Sequence, residues 1–194
     1  MTPNDQYMAD FLTVFETLDF WAPGSEAETL RALDLLPSAP STILEIGCGK
    51  GHTSITMATH THAMITATDN EANALSALDQ NLTNMGLSER VATVCADMAD
   101  LPFEPASFDL IIAEASAYAI GFENALRQWH PLLAADGHLI ISDLVWTCDQ
   151  PSKEAKEFWA HDYTDMQTID TRIGQIKSAD YDLLNHFTLS KAAW

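Results

Sequence analysis

The sequence predicts an α/β protein built on a doubly wound, mostly parallel sheet, and two observations carry that prediction. Between residues 42 and 145, apolar runs of strand length alternate with segments of helix length, and crossovers of that length are what parallel strands require. Phe108-Asp-Leu-Ile-Ile-Ala113 and His138-Leu-Ile-Ile-Ser142 are continuous apolar runs, as strands covered on both faces should be. The second observation is the first run itself. Thr42-Ile-Leu-Glu-Ile46 ends in glycines at alternate positions, Gly47, Gly49 and Gly51, which let a backbone turn sharply and lie close to a ligand.

The elements follow in order. Residues 5–20 carry Tyr7, Met8, Phe11, Leu12, Phe15 and Leu18 at helical spacing, predicting an amphipathic helix that either packs on the core or covers a ligand. Trp21-Ala-Pro-Gly24 reads as a turn. Ser25-Glu-Ala-Glu28 is a capping box in which Ser25 caps and Glu28 reaches back, opening a helix to about Leu36 that Pro37 and Pro40 end. Then come a strand at 42–46, a helix at 51–60, a strand at 63–68 and a helix at 71–85 closed by Gly86. Strands at 90–95 and 108–113, a helix at 121–133 and a strand at 138–145 complete the alternation. Past Trp146 the chain is polar, with helices expected at 152–161 and 165–178 and a last strand from Tyr181 to Leu189. A chain of 194 residues with 47% hydrophobic content suits one domain: a helical cap over 1–40 and an α/β core over 41–194.

Charge narrows the partners. Lys and Arg number 9 against 28 Asp and Glu, a formal net charge of −19. Such a surface repels phosphate backbones and the anionic face of a membrane, so neither nucleic acid nor a bilayer is expected. Cys48, Cys95 and Cys148 are far apart and outside any CxxC pattern, which predicts free thiols in a reducing compartment. With no basic-then-apolar start and no apolar run approaching 18 residues, the expected location is the cytoplasm.

In an open α/β sheet, ligands bind beyond the carboxyl ends of the strands. The first strand presents the glycine loop, the second Asp69-Asn70, the third Asp97-Met98, the fourth Glu114-Ala115-Ser116. Asp69 stands 22 positions after Gly47, where a carboxylate accepts the hydroxyls of a ribose; it would also begin the next helix whatever its ligand. Asp97 is placed to accept from an adenine amino group while Met98 packs on the ring. A dinucleotide site needs a third glycine where this chain has His52, and Glu45 so close to the loop opposes a pyrophosphate but suits an ammonium group. A ligand with adenosine at one end and an amino acid at the other fits better. His60-Thr-His62 lacks the further ligands of a tetrahedral metal site, and no metal is expected.

Taken together, the loop over Ile43–Gly51, Asp69, the pair Asp97-Met98 and the stretch Pro131–Ile141 resemble the Rossmann-like class I S-adenosylmethionine-dependent methyltransferases. Pro23–Arg31, Cys95–Pro102 and Phe187–Leu189 resemble a bacterial, small-molecule-type group within them. The resemblance implies that Gly47, Cys48, Gly49 and Gly51 form the loop around the methionine part of S-adenosylmethionine, with Glu45 near its ammonium. Asp69 would take the ribose hydroxyls, Asn70 flank the adenine, and Asp97 and Met98 hold its edge. Glu114 either orients an acceptor or takes its proton, or else holds the cofactor's amino group. Methyl transfer by in-line displacement to a small-molecule acceptor is then the expected activity, with S-adenosylhomocysteine as product. Alignment and exclusion of water do most of the work in such a transfer. A general base is needed only if the acceptor must lose a proton, and the candidates are Glu114, Tyr118 and His130. His130 also suits a helix end. Trp21, Tyr118, Trp146, Phe158, Trp159 and Tyr163 flank the carboxyl edge and offer walls for an apolar pocket. The alternatives are an NAD-dependent oxidoreductase and a catalytically silent interaction module. The departure from the family is at the end: no seventh, antiparallel strand is read before Trp194, so it would be absent, supplied by a partner or cut off, and a homodimer could cover the sheet edge left open.

Overall fold

The computed structural model describes residues 21–160 and 163–193; the helix expected at 5–20 lies outside them. Five parallel strands form the sheet: β1 (Thr42–Ile46), β2 (Met64–Asp69), β3 (Val91–Cys95), β4 (Phe108–Glu114) and β5 (Leu133–Ser142), in the spatial order β3-β2-β1-β4-β5. The helices are α1 (Glu26–Asp34), α2 (His52–His60), α3 (Ala72–Met85), α4 (Phe122–Trp129), α5 (Lys153–Trp159) and α6 (Ile169–Ser178). The direction of winding reverses at β1, so the ends of β1, β2 and β4 border the crevice where such sheets take ligands.

Alternation along β1 builds two cores. Ile43 joins Ile65, Leu110 and Ile112 on the face covered by α2 and α3, against Met57, Leu75, Leu78 and Leu82. Leu44 and Ile46 join Ile111 and Ala113 on the other, against Ala125, Trp129 and Leu132. Trp129 is fully buried, and its indole N–H donates to the Met98 carbonyl at 3.1 Å, so α4 is tied to the loop after β3. The Asp109 carboxylate accepts from the Ser41 and Thr42 N–H groups at 2.9 and 3.0 Å and aligns the starts of β1 and β4.

Several elements differ from expectation. The helix expected over 121–133 stops at Trp129 and continues as one 3-10 turn, because Pro131 has no N–H to donate. β5 begins at Leu133, five residues early, and slips in register against β4, with Asp136 in the left-handed region at φ 61°. Residues 165–168 are not helical: Gln167–Thr168 pairs with Val145–Trp146 in a short parallel ladder, and the Thr168 hydroxyl caps α6.

The strand expected over 181–189 does not form. A strand needs a neighbour to complete its hydrogen bonds, and this segment has none among the described residues; it is drawn onto helices instead. The Tyr181 hydroxyl donates to the Leu126 carbonyl at 3.1 Å, and the Arg31 guanidinium lies 3.9 Å from the Phe187 ring centroid. Ser190 N–H donates to Glu28 Oε1 at 2.8 Å. Ser25 caps α1 as expected, its hydroxyl accepting from Glu28 N–H, but the Glu28 carboxylate holds this distant segment rather than reaching back. Every strand pairing among the described residues is parallel, and β5 forms the outer edge of the sheet. No helix among them is long and apolar enough to cross a membrane.

Candidate functional site

The glycine loop leaves β1 at Ile46 and is stitched to β2 at once: Gly47 and Cys48 N–H both donate to the Thr68 carbonyl, at 2.8 and 2.9 Å. Gly47 has φ 77°, and a Cβ there would sit 2.4 Å from the Ser116 Cβ. Ser116 in turn donates to the Ile46 carbonyl at 2.7 Å, so β4 closes against the loop only because residue 47 has no side chain. Gly51, at φ 81°, caps α2, and a Cβ there would meet Leu78 Cδ1 at 2.1 Å.

Beside the loop, at the carboxyl ends of β1, β2 and β3, lies a cavity of about 290 Å³ whose lining includes Gly47, Asp69, Asn70, Asp97, Met98 and Ile120. Its carboxylates are fixed by main chain. Asp69 Oδ2 accepts from Gly49 N–H at 2.7 Å and Oδ1 from Glu71 N–H at 2.9 Å; Asp97 Oδ1 accepts from Ala99 N–H at 2.9 Å. Each carboxylate oxygen keeps a lone pair for a further donor.

Glu45 and Cys48 are buried. The Glu45 carboxyl accepts from the Ser54 hydroxyl beneath the loop and does not line the cavity. Burial pushes its pKa up to about 8, with smaller pushes from the negative charges of Glu114 and Asp69 and an opposing effect of the Ser54 bond. Burial likewise pushes the Cys48 thiol up, so it is an inert, protonated group. Cys95 and Cys148 are exposed, and all three thiols are free.

Glu114 is held at both oxygens: the Thr29 hydroxyl of α1 donates to Oε1 at 2.8 Å, and the Thr53 hydroxyl of α2 to Oε2 at 2.6 Å. One carboxylate therefore joins β4, the helix after the glycine loop and the helix before the sheet. Ala115, at φ 50°, turns the chain, with its N–H donating to the Ser142 hydroxyl at 2.9 Å.

Beyond the ends of β4 and β5 the aromatics divide into separate groups. Tyr118 is half exposed on the turn that brings Ala119 and Ile120 to the cavity, and its ring centroid is 5.6 Å from that of Tyr163. Trp21 packs on Gly49, while Phe158 pairs edge-on with Trp159 and is 70% exposed. Behind Tyr163 lies a polar network. Its hydroxyl donates to Asp143 Oδ1, Arg172 Nε donates to Asp143 Oδ2 at 2.8 Å, and Arg172 Nη1 reaches Asp165 Oδ2 at 3.0 Å. The guanidinium also lies 4.6 Å from the Phe122 ring centroid. Burial holds the Asp143 carboxyl above the usual range despite the arginine, and it pushes the Tyr163 hydroxyl up.

This arrangement has known counterparts. Residues 43–137 match the family model described as a methyltransferase domain. These residues are similar to a methyltransferase domain, and the fold is that of the class I methyltransferases. It is 32% identical over 123 residues to the malonyl-[acyl-carrier protein] O-methyltransferase of Methylovorus sp. (strain MP688), covering 59% of this chain and 40% of that protein. It is 29% identical over 119 residues to the 27-O-demethylrifamycin SV methyltransferase of Amycolatopsis mediterranei (strain S699), covering 60% and 44%. The chain thus spans less than half the length of these two curated relatives. In three dimensions it superposes on a geranyl diphosphate methyltransferase in complex with SAM at a TM-score of 0.70, with 18% identity, 79% of this chain and 64% of that one covered.

Within the methyltransferase domain, the structure brings together Gly47, Asp69, Asn70, Asp97 and Met98 at one cavity, with Gly49 and Glu114 beside the same loop. His130 is elsewhere, and its candidacy as a base is corrected. α4 runs back from the carboxyl edge, so His130 follows it at the amino edge, next to Leu133, which pairs with the first residue of β4. There its ring packs on Tyr181 at 4.9 Å. The Asp143–Tyr163–Arg172 network is the part that sequence reading missed. Its one signal was a lone arginine in a strongly acidic, polar segment. Among the described residues, no group of three His, Cys, Asp or Glu side chains is placed to hold a metal ion.

Proposed function

We propose that this chain catalyses S-adenosylmethionine-dependent methyl transfer to a small-molecule acceptor by in-line displacement. The observation that carries the reading is the cavity beside the glycine loop, where two anchored carboxylates, a thioether and bare backbone converge without one basic side chain in the lining. Hydroxyls and amino groups find acceptors there, whereas a pyrophosphate would meet two carboxylates and no basic side chain, which weighs against a nicotinamide dinucleotide. At about 290 Å³ the cavity lies at the lower end of small-molecule pockets and suits a nucleoside.

When bound, S-adenosylmethionine supplies a methyl group activated by its sulfonium. The protein holds and orients. Asp69, fixed by Gly49 and Glu71 N–H, accepts the ribose hydroxyls. Asn70 flanks the adenine, Asp97 accepts from its amino group and Met98 packs on the ring. Gly47, Cys48 and Gly49 line the methionine portion, and Gly51 sets the start of α2. Glu45, bonded to Ser54 and held protonated by its burial, supports the loop from beneath. Of the roles open to Glu114, holding the ammonium is favoured, because its oxygens are fixed as acceptors by the Thr29 and Thr53 hydroxyls and Thr53 lies on the helix that follows the glycine loop. Tyr118 remains as the side chain at the reacting end, where it orients the acceptor and takes a proton if one must leave.

The acceptor is a small molecule rather than a nucleic acid, a reading supported by the net charge of −19 and by the name of one relative, the 27-O-demethylrifamycin SV methyltransferase. A single domain over 1–194 and a cytoplasmic location, given three unpaired cysteines, complete the proposal, with a homodimer through the outer edge of β5 as its assembly. Calorimetric titration tests the core of it: S-adenosylhomocysteine should give saturable heat and NADH none, and the reverse pattern would replace the methyltransferase reading with a dehydrogenase. Light scattering reads the assembly, and a monomer at all concentrations would remove the dimer.

A further inference from the structure

We propose that Trp21 is a ligand-contacting residue, its indole forming the wall at the amino-acid end of the site; the inference rests on the reading that the site takes S-adenosylmethionine. The glycine loop has two sides. At Gly47 it borders the nucleoside cavity. At Gly49 it faces the Trp21 ring, where an added Cβ would stand 3.4 Å from Cε3 and 3.7 Å from Cδ2, ordinary packing distances. The cavity lining includes neither Cys48, Gly49 nor Glu114, so a ligand longer than a nucleoside must extend along the loop past Gly47, and the next wall it reaches is the indole.

Trp21 is also well placed to be held still. Lys50 Nζ lies 5.9 Å from its ring centroid, within reach of a cation–π attraction. Three residues on, Gly24 N–H donates to the Ala193 carbonyl at 2.8 Å, and in the first turn of α1 the Thr29 hydroxyl donates to Glu114. The stretch from Trp21 to Thr29 thus borders the loop at one end with an aromatic face and at the other with a carboxylate. An aromatic face beside an ammonium group is attractive in itself, and Trp is the strongest of the aromatic partners. The inference therefore assigns Trp21 to the amino-acid end of the ligand and leaves the nucleoside to β2 and β3.

Two ligands that differ only at that end separate a contact from a general structural role. S-adenosylhomocysteine and 5′-methylthioadenosine share the nucleoside and the sulfur, and only the first carries the amino acid. In calorimetry, Trp21→Ala should weaken S-adenosylhomocysteine by about tenfold or more while 5′-methylthioadenosine changes by less than about twofold, and Trp21→Phe should recover most of the loss. Unchanged S-adenosylhomocysteine affinity, or equal weakening of both ligands, would overturn the assignment. If Trp21→Ala does not fold, as read by thermal melting, Trp21→Phe carries the test through fluorescence: the tryptophan emission change that accompanies S-adenosylhomocysteine binding in the parent protein should disappear while binding persists. Persistence of the emission change overturns the inference. Absence of any S-adenosylhomocysteine heat in the parent protein overturns the methyltransferase reading itself, and the assignment with it.

Discussion

The two halves of the carboxyl edge are built differently. Over β1, β2 and β3 the functional groups sit at strand ends and are fixed by main-chain N–H groups: Asp69 by Gly49 and Glu71, Asp97 by Ala99. Over β4 and β5 the side chains are fixed by distant ones. Arg172 binds Asp143 across 29 positions, and Glu114 accepts from Thr29 and Thr53 across 85 and 61. A half built from main-chain donors tolerates change elsewhere in the chain and keeps one ligand. A half built from long-range side-chain contacts can be rebuilt by few substitutions, which is what varied acceptors require.

The largest test of that contrast is Arg172→Met. The Arg172 and Asp143 side chains are 5% and 7% exposed, so removing one partner leaves a buried carboxyl uncompensated, at a cost of about 3–5 kcal/mol in urea unfolding. The folded fraction should bind S-adenosylhomocysteine as before, and a parallel loss of affinity would erase the division between the halves. Glu45→Gln comes next. In the folded chain this carboxyl keeps its proton up to about pH 8, whereas unfolded it ionises near 4.5 like any free glutamate. Between those limits the unfolded state binds fewer protons, so stability falls as pH rises, at up to about 1.4 kcal/mol per pH unit. Denaturation across pH 5 to 8 should show this slope in the parent protein and its flattening in the Gln variant; an unchanged slope would mean Glu45 is ionised in the fold.

Asp69→Ala should cost about 0.5–2 kcal/mol of stability, because Gly49 and Glu71 N–H lose their acceptor, and should weaken S-adenosylhomocysteine by about 1.5–3 kcal/mol, the cost of removing a charged acceptor. Retained affinity would shift the ribose to another residue. The smallest effect is expected from Thr29→Val, which removes one of the two donors to Glu114 and should cost about 0.5–1.5 kcal/mol of stability. A loss of affinity alongside it would show that Glu114 acts on the ligand as well as on the fold.

The same division explains what the sequence made legible. Strand order, helix alternation and the series from the glycine loop through Asp69 to Asp97 follow from periodicity and local spacing, because the chain solves those problems with neighbours. Glu45 was readable as a carboxylate near the loop but not as a buried one, since only the packing of α2 on β1 brings Ser54 to it. The segment at 181–189 has a strand's alternation, yet a strand is a relation between two segments, and here the segment meets helices. His130 could not be placed from spacing alone because the direction of α4, not its sequence, decides which edge of the sheet its end reaches.

One contact has consequences outside chemistry. Leu78 is fully buried in the core between α3 and the sheet, and it also fills the space beside Gly51 that a side chain there would need. Leu78 thus ties the packing of the interior to the start of α2: a smaller or larger residue there changes the space beside Gly51 without altering any side chain that lines the cavity. In libraries selected for tighter or weaker cofactor use, changes at position 78 and its core neighbours should recur alongside those at the pocket surface.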